Sequence, residues 1–234
     1  MRAIFDHSRE EGSNIRTFFF KPERPVQFTA GQYAEWTLKH PRPDNRGVKR
    51  WFTISSAPTD ELVTITTKFN TERSSSFKKA LFALQPGDEL LMSDPMGDFV
   101  LPKLIQTPLV FVAGGIGVTP FHSILSWLAA VKEERPVKLL YAVRVEDEIV
   151  FQDTFDKAHV QPTIVVSQPS AAWGGERGQL SAELILGLEK PGEDALVYVS
   201  GPEPMVESLE KSLHKAGLKK QQLVLDFFPN YPAY

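Results

Sequence analysis

The sequence predicts two successive architectures, an antiparallel β-barrel followed by a parallel α/β sheet. Three observations carry that expectation. Short stretches rich in β-branched and aromatic residues, separated by turn clusters, fill the chain up to about Lys103. Beyond it, apolar strand-like runs alternate with helical patterns, the rhythm of a parallel sheet covered on both faces. Finally, 234 residues with 42% hydrophobic and 24% charged side chains give room for two cores without disulfide or metal staples.

In the first half the strand candidates are Ile15–Phe20, Tyr33–Leu38, Trp51–Ser55 and Leu62–Lys68. Turn formers separate them, notably Lys21-Pro22-Glu23-Arg24-Pro25 and Pro41-Arg42-Pro43-Asp44-Asn45. Regular short strands of this kind indicate a barrel or sandwich. One helix interrupts them, Ser76–Leu84, with Phe77, Ala80, Leu81 and Leu84 at helical spacing. In the second half five strands are expected at Leu109–Ala113, Val137–Val143, Thr163–Ser167, Ala195–Ser200 and Leu223–Phe228. Helices are expected at Pro120–Lys132, Phe151–Ala158, Ala182–Leu186 and Pro204–Ala216. The change of rhythm puts the domain boundary near Leu101–Gln106, giving domains 1–103 and 104–234.

Composition removes several function classes. A net charge of −3 and a pI near 6.0 do not suit a sequence-independent nucleic-acid binder, which needs a basic surface. With no cysteine there are no disulfides, thiolate zinc sites or cysteine-held iron–sulfur clusters, so any such cluster belongs to a partner. His7, His40, His122, His159 and His214 show no metal-ligand spacing, and Ser74–Ser76 has no neighbouring histidine to make a nucleophile. No signal peptide and no bilayer-length apolar run is visible, so a soluble cytoplasmic protein is expected.

The most informative local motif is Gly114-Gly115-Ile116-Gly117-Val118-Thr119-Pro120, between an apolar strand and an amphipathic helix. Its physics suits a phosphate: glycines allow close approach, and a helix start offers unpaired N–H groups. Thr119 is expected as the N-cap and Pro120 at the first helical position. Glycines after a strand also make simple tight turns, and Pro120 replaces the third glycine of G-x-G-x-x-G. In this form the motif resembles the pyridine-nucleotide loop of the ferredoxin–NADP reductase superfamily.

Further motifs follow the order of that superfamily. Arg50-Trp51-Phe52-Thr53 resembles its R-x-[Y/F]-[S/T] flavin signature, and Gly31-Gln32-Tyr33 its G-Q-[Y/F] strand start. An arginine can clamp a phosphate through paired N–H groups, and a phenylalanine offers a flat apolar face to a ring system. The resemblance implies that Arg50 holds the flavin phosphate, that Phe52 faces the isoalloxazine, and that Thr53 lies near its N5. Arg73, Ser74, Ser75 and Ser76 stand where relatives bind the pyrophosphate. Gln85-Pro86-Gly87-Asp88 and Asp94-Pro95-Met96-Gly97-Asp98-Phe99 follow a family pattern of barrel turns. Gly115, Gly117, Thr119 and Pro120 would receive the pyridine nucleotide.

At the other end, Ser200-Gly201-Pro202-Glu203-Pro204-Met205 is similar to the family's C-G-P-x-x-M, with Ser200 in place of cysteine. Ser200, Gly201 and Pro202 would close the nicotinamide site. Asp226 and Phe228 match an acidic residue and a ring-stacking aromatic two positions apart, with Tyr231 or Tyr234 as alternative stacking residues. A stacked ring there acts as a gate that must move before nicotinamide enters. Arg144 is a further candidate for the nucleotide, and Ser167 and Arg177 could hold a 2′-phosphate, as Ser and Arg do in NADP-type relatives, which tilts the expectation towards NADPH and leaves NADH open.

The resemblance covers nearly the whole chain. It implies a six-stranded flavin-binding barrel, a five-stranded nucleotide-binding sheet, and a flavoprotein oxidoreductase using FAD in preference to FMN. Hydride would pass from NAD(P)H to flavin, with Thr53, Ser200, Asp226 and Phe228 around the transfer. Single electrons would then go to ferredoxin or another iron–sulfur or flavin carrier, with a membrane subunit or haem partner also open. A non-catalytic flavin- and nucleotide-binding subunit, or a free-flavin or ferric reductase, is the alternative.

Overall fold

The computed structural model describes residues 1–72, 74–189 and 191–228. Its first half is a single antiparallel sheet of six strands: β1 (Arg2–Gly12), β2 (Ile15–Pro22), β3 (Tyr33–Thr37), β4 (Lys49–Thr53), β5 (Val63–Lys68) and, after helix α1 (Ser76–Phe82), β6 (Glu89–Met92). The order is β4-β3-β6-β1-β2-β5, so β4 and β5 are the two end strands. Just past β4, the Ser55 N–H donates to the Thr64 carbonyl of β5 at 3.0 Å, which curls the sheet towards closure.

Phe18, Phe20, Trp36, Ile54 and Ile65 fill the barrel, packed against Phe77 and Leu81 of α1. Ser75 caps α1, its side chain accepting from the Lys78 N–H at 3.3 Å. Two strands of this sheet carry little sequence signal. In β1 only Ala3 and Phe5 are buried, most of the rest being polar, and β6 is four residues long.

The second half runs β7 (Leu109–Gly114), α2 (Thr119–Val131), β8 (Val137–Val143), α3 (Gln152–Lys157), β9 (Thr163–Val166), β10 (Glu176–Arg177), α4 (Ala182–Glu189), β11 (Leu196–Pro202), α5 (Glu203–Lys215) and β12 (Leu223–Phe228). Its pairings are all parallel, in the order β10-β9-β8-β7-β11-β12. The five strands expected are present, and the two residues of β10 add a sixth at the edge. Strand order reverses between β7 and β11, which opens a crevice at the carboxyl ends of the strands.

The parallel sheet has a core on each face. One contains α4 and α5 residues such as Ile185, Val206 and Leu213. The other contains Phe121, Ile124 and Leu125 of α2, and here Ile15, Ala30 and Phe99 from the first half join the same cluster. The two halves are therefore welded by a shared apolar core rather than tethered by a linker.

One local expectation is corrected. Thr119 is not an N-cap: a 3-10 turn over Gly115–Val118 leads directly into α2, and Val118 takes the cap position. The Thr119 hydroxyl instead donates to the Ile116 carbonyl at 3.0 Å, and Pro120 follows one residue into the helix.

Candidate functional site

A cleft of about 980 Å³ lies between the two halves. That is at the upper end of small-molecule sites, enough for two ring systems side by side. Its barrel wall is β4 from Lys49 to Thr53 with the end of β5, and Ser74 and Ser75 before α1. Its sheet wall is Ile116 and Thr119 from the turn after β7, Arg144 after β8, and Leu225, Asp226 and Phe227 of β12.

Arg50 is held tightly. One terminal nitrogen donates to the carbonyls of Lys49 and Arg46 at 2.6 and 2.8 Å, and the other to Asp44 Oδ1 at 2.9 Å. Its guanidinium carbon sits 5.5 Å from the centre of the Phe77 ring. Burial, and secondarily the neighbouring Arg46, pushes its pKa below the usual arginine value, against the pull of Asp44. Its Nε is buried without an acceptor, an N–H that a phosphate oxygen would satisfy. Asp44 also accepts the Ser76 N–H at 2.9 Å and the Arg46 N–H at 3.0 Å. Burial pushes the Asp44 pKa up, but those donors and Arg50 hold it at about 2.

Phe52 is 9% exposed, its ring 5.7 Å from that of Phe77, so it stands where the barrel core meets the cleft. Thr53 is buried beside it on the cleft wall. Ser75 has its cap role, and the Ser76 hydroxyl accepts the Asp44 N–H at 2.8 Å and pairs with His40 Nε2 at 3.0 Å. Arg73 lies outside the described residues.

On the sheet side the glycines have different duties. Gly115 has φ +54°, a left-handed conformation, and a Cβ there would meet nothing. At Gly117 a Cβ would lie 2.2 Å from the Ser200 carbonyl oxygen and 2.6 Å from Gly201 Cα. Gly117 and Pro120 are buried and outside the cleft lining, so Gly117 is small because β11 passes against it. Gly201 and Pro202 are likewise buried: a Cβ on Gly201 would strike the Met205 side chain at 2.5 Å.

Ser200 is 0% exposed and reaches the cleft only through its neighbour across the β11–β12 register, donating to Asp226 Oδ2 at 3.2 Å. Asp226 lines the cleft. Burial raises its pKa to about 6, against the lowering effect of the Ser200 hydroxyl. Phe228 ends β12 opposite Pro202 in the backbone register, but its side chain lies outside the described residues, as do Tyr231 and Tyr234.

Arg144, Ser167 and Arg177 gather at the carboxyl edge of β8, β9 and β10. Ser167 and Gln168 donate their N–H groups to the carbonyls of Val143 and Arg144, and Arg177 pairs with Val166 across β9–β10. Only Arg144 borders the cleft, 3.7 Å from Glu148. Arg177 Nη2 is turned to the carbonyls of Ser170 and Trp173.

Residues 111–211 match the family of oxidoreductase NAD-binding domains. The fold aligns with a ferredoxin NADP+ reductase from Neisseria gonorrhoeae at a TM-score of 0.79 and 20% identity, covering 97% of this chain and 98% of that one. The chain therefore has the fold of a ferredoxin NADP+ reductase, with an oxidoreductase NAD-binding domain in its second half. Among curated proteins, it is 25% identical to flavohemoprotein A of Dictyostelium discoideum over 240 residues, covering 96% of this chain and 59% of that protein. It is 27% identical to the NADH oxidoreductase HCR of Escherichia coli strain K12, covering 94% of this chain and 66% of that protein. The chain therefore spans less than two thirds of the length of these curated relatives.

The cleft contains groups that the superfamily motifs do not announce. Trp51 is 59% exposed and Phe227 48% exposed, two aromatic faces on the cleft lining. Lys68 of β5 reaches across to Glu148 at 2.5 Å, an ion pair joining the two halves. Arg46, Lys49, Lys68 and Lys78 accompany Arg50 and Arg144 around the lining, interleaved with Glu35, Glu72, Glu148 and Asp226. Among the described residues no His, Asp and Glu group forms a candidate metal site, and no helix is long and apolar enough to cross a membrane.

Proposed function

We propose that this chain is a flavin-dependent NAD(P)H oxidoreductase that moves hydride from nicotinamide to bound FAD and hands electrons singly to a separate carrier. The observation that supports it most is one cleft lined by Arg50–Thr53 of the barrel on one side and by Ile116, Thr119 and Asp226 of the sheet on the other. In this reading residues 1–103 bind the flavin and 104–234 the nucleotide. Bound FAD supplies the chemistry, accepting a two-electron donor's hydride and releasing electrons one at a time.

The protein binds and aligns. Arg50 would hold the flavin phosphate, its buried Nε being the donor left without an acceptor. Arg73, Ser74, Ser75 and Ser76 add donors to the pyrophosphate. Phe52 packs on the ring and Thr53 offers its hydroxyl to N5. Gly115 and Thr119 receive the nucleotide, with Gly117 and Pro120 shaping that turn and Gly201 and Pro202 buttressing it from behind. Asp226, oriented by Ser200, is the polar group beside the nicotinamide, and Phe228 is the gating aromatic. Arg144, Ser167 and Arg177 bind the far end of the nucleotide and favour NADPH. The acceptor is ferredoxin or another iron–sulfur or flavin carrier. The compartment is the cytoplasm.

Anaerobic titration of the FAD-loaded protein tests the reading. Bleaching of the flavin band by NADPH, and more slowly by NADH, is the expected result. A flavin that binds but is bleached by neither nucleotide would establish a non-catalytic subunit instead. One observation favours a second reading, a free-flavin reductase: Asp44 places a carboxylate on Arg50, in competition with a phosphate. Loss of the yellow colour through gel filtration, reversed in Asp44→Asn, would favour it.

A further inference from the structure

The chain past β4 is held from an unexpected side. Thr53 is the last residue of β4 in its pairing with β3, and Ser55 and Ser56 follow. The N–H of Ser55 bonds within the barrel, but the carbonyls of Ser55 and Ser56 turn to helix α2. His122 Nδ1 lies 2.6 Å from the Ser55 oxygen, and the Ser123 hydroxyl donates to the Ser56 oxygen at 2.6 Å. Because the acceptor is a carbonyl, the imidazole proton is on Nδ1. Burial pushes the His122 pKa below the ordinary histidine value, against the Ser55 carbonyl, Glu11 and Asp153 and together with Arg9, so the ring is neutral at pH 7. The ring packs at 3.8 Å on Phe151, and Ser123 is fully buried.

Thr119, His122 and Ser123 are spaced i, i+3 and i+4, which puts them on one face of α2. That face carries the nucleotide turn at its start and grips the flavin strand one turn later. Thr53 is about 7 Å up the chain from Ser55 at strand rise.

We propose that His122 and Ser123 are positioning residues that lock the Arg50–Thr53 strand to helix α2. They thereby fix the separation between the seats of the flavin and nicotinamide rings. The inference rests on the reductase reading. Hydride transfer needs the two rings within contact distance, and a misplacement of about 1 Å costs on the order of a hundredfold in rate. Two short bonds from adjacent helix residues to adjacent carbonyls remove both translation and rotation of that strand relative to α2.

The variants are His122→Leu, which keeps apolar packing on Phe151 and removes the donor, Ser123→Ala, and His122→Asn, which restores a donor. Two readouts are used. Hydrogen–deuterium exchange of the flavin-free chain over residues 50–57 reads the clamp directly. Single-turnover bleaching of FAD-loaded protein by NADPH, with flavin and NADPH affinities measured alongside, reads positioning. In His122→Leu and Ser123→Ala, exchange over 50–57 rises and bleaching slows about tenfold or more, with both affinities within about twofold of wild type. His122→Asn recovers most of both.

Unchanged exchange in both His122→Leu and Ser123→Ala overturns the clamp. Faster exchange with unchanged bleaching overturns the positioning role, as does a rate loss matched by equal loss of flavin affinity and unrescued by asparagine. A wild-type chain that binds FAD but is bleached by neither nucleotide sinks the reductase reading and the positioning role with it. The exchange arm would still decide whether the clamp exists.

Discussion

The two walls of the cleft are built on opposite plans. On the barrel wall the distinctive groups are side chains: Arg50, locked by Asp44 and backbone carbonyls with one buried N–H to spare, and Phe52 and Thr53 beside it. Behind the sheet wall, outside the cleft lining, the distinctive feature is backbone. Gly117 is small because β11 passes against it, and Gly201 because Met205 and Gly114 of β7 do, whereas Gly115 faces open space. A strand of side chains can be altered residue by residue with local effect. A turn packed backbone against backbone cannot, so equal-sized substitutions should separate the walls.

The sharpest break is Gly117→Ala. Its added methyl meets the Ser200 carbonyl at 2.2 Å, a backbone atom that no rotamer change can move. A loss of about 3 kcal/mol is expected, lowering the Tm by about 10 °C in a thermal melt. Gly115→Ala meets open space and pays only for its φ of +54°, about 1 kcal/mol. If the two melts coincide, the sheet wall is not close-packed as described.

Next is Arg50→Ala on the barrel wall. The fold should survive, because Phe77 and Phe52 stay packed, but FAD retention should fall between about tenfold and a hundredfold, the value of a charge-assisted hydrogen bond or two. Fluorescence titration with FAD reads it, and wild-type affinity would remove Arg50 from the phosphate clamp.

The walls also differ in how legible they were. The β/α alternation of the second half and the Arg50–Thr53 motif stood in the sequence because their residues act within one short segment. β1 was invisible: eleven residues, most of them polar and solvated, take their strand conformation from pairing with β2 and β6 rather than from their own pattern. β10 is two residues placed by β9. The same holds in the cleft. Lys68 and Glu148 are 80 positions apart, so nothing local couples them. His122 has no sequence partner at all, since its acceptor is a carbonyl 67 residues away. The glycines were legible as glycines, but their reason, apart from Gly115, was the neighbouring strand rather than a ligand.

A third comparison uses pH, because the sheet wall holds the cleft carboxyl that burial has pushed upward. Asp226 titrates at about 6 in the folded chain against 3.8 for the free side chain. The folded state therefore binds more protons than the unfolded state between those values, and stability falls as pH rises through that window. Asp226→Asn should flatten the wild-type slope between pH 4 and 6. Asp44 on the barrel wall behaves oppositely. Its pKa is held at about 2 against 3.8, so its contribution is complete above pH 4 and lost below it. Urea midpoints at pH 3, 4, 5 and 6 separate the two, and an unchanged slope in Asp226→Asn would mean that the carboxyl is solvated.

The smallest effect is expected from Ser200→Ala. Its hydroxyl faces no open part of the cleft and contributes one hydrogen bond, at 3.2 Å, to Asp226. That bond favours the ionised carboxyl, so its loss should move the Asp226 titration further up from about 6 and leave thermal stability nearly unchanged, within about 1 kcal/mol. In the pH profile of flavin bleaching by NADPH, the limb assigned to Asp226 should shift towards neutral pH by a fraction of a unit, with the plateau rate kept. A lower plateau with an unmoved limb would assign Ser200 a direct contact with the nicotinamide, and the sheet wall would then contribute a second polar side chain beside Asp226.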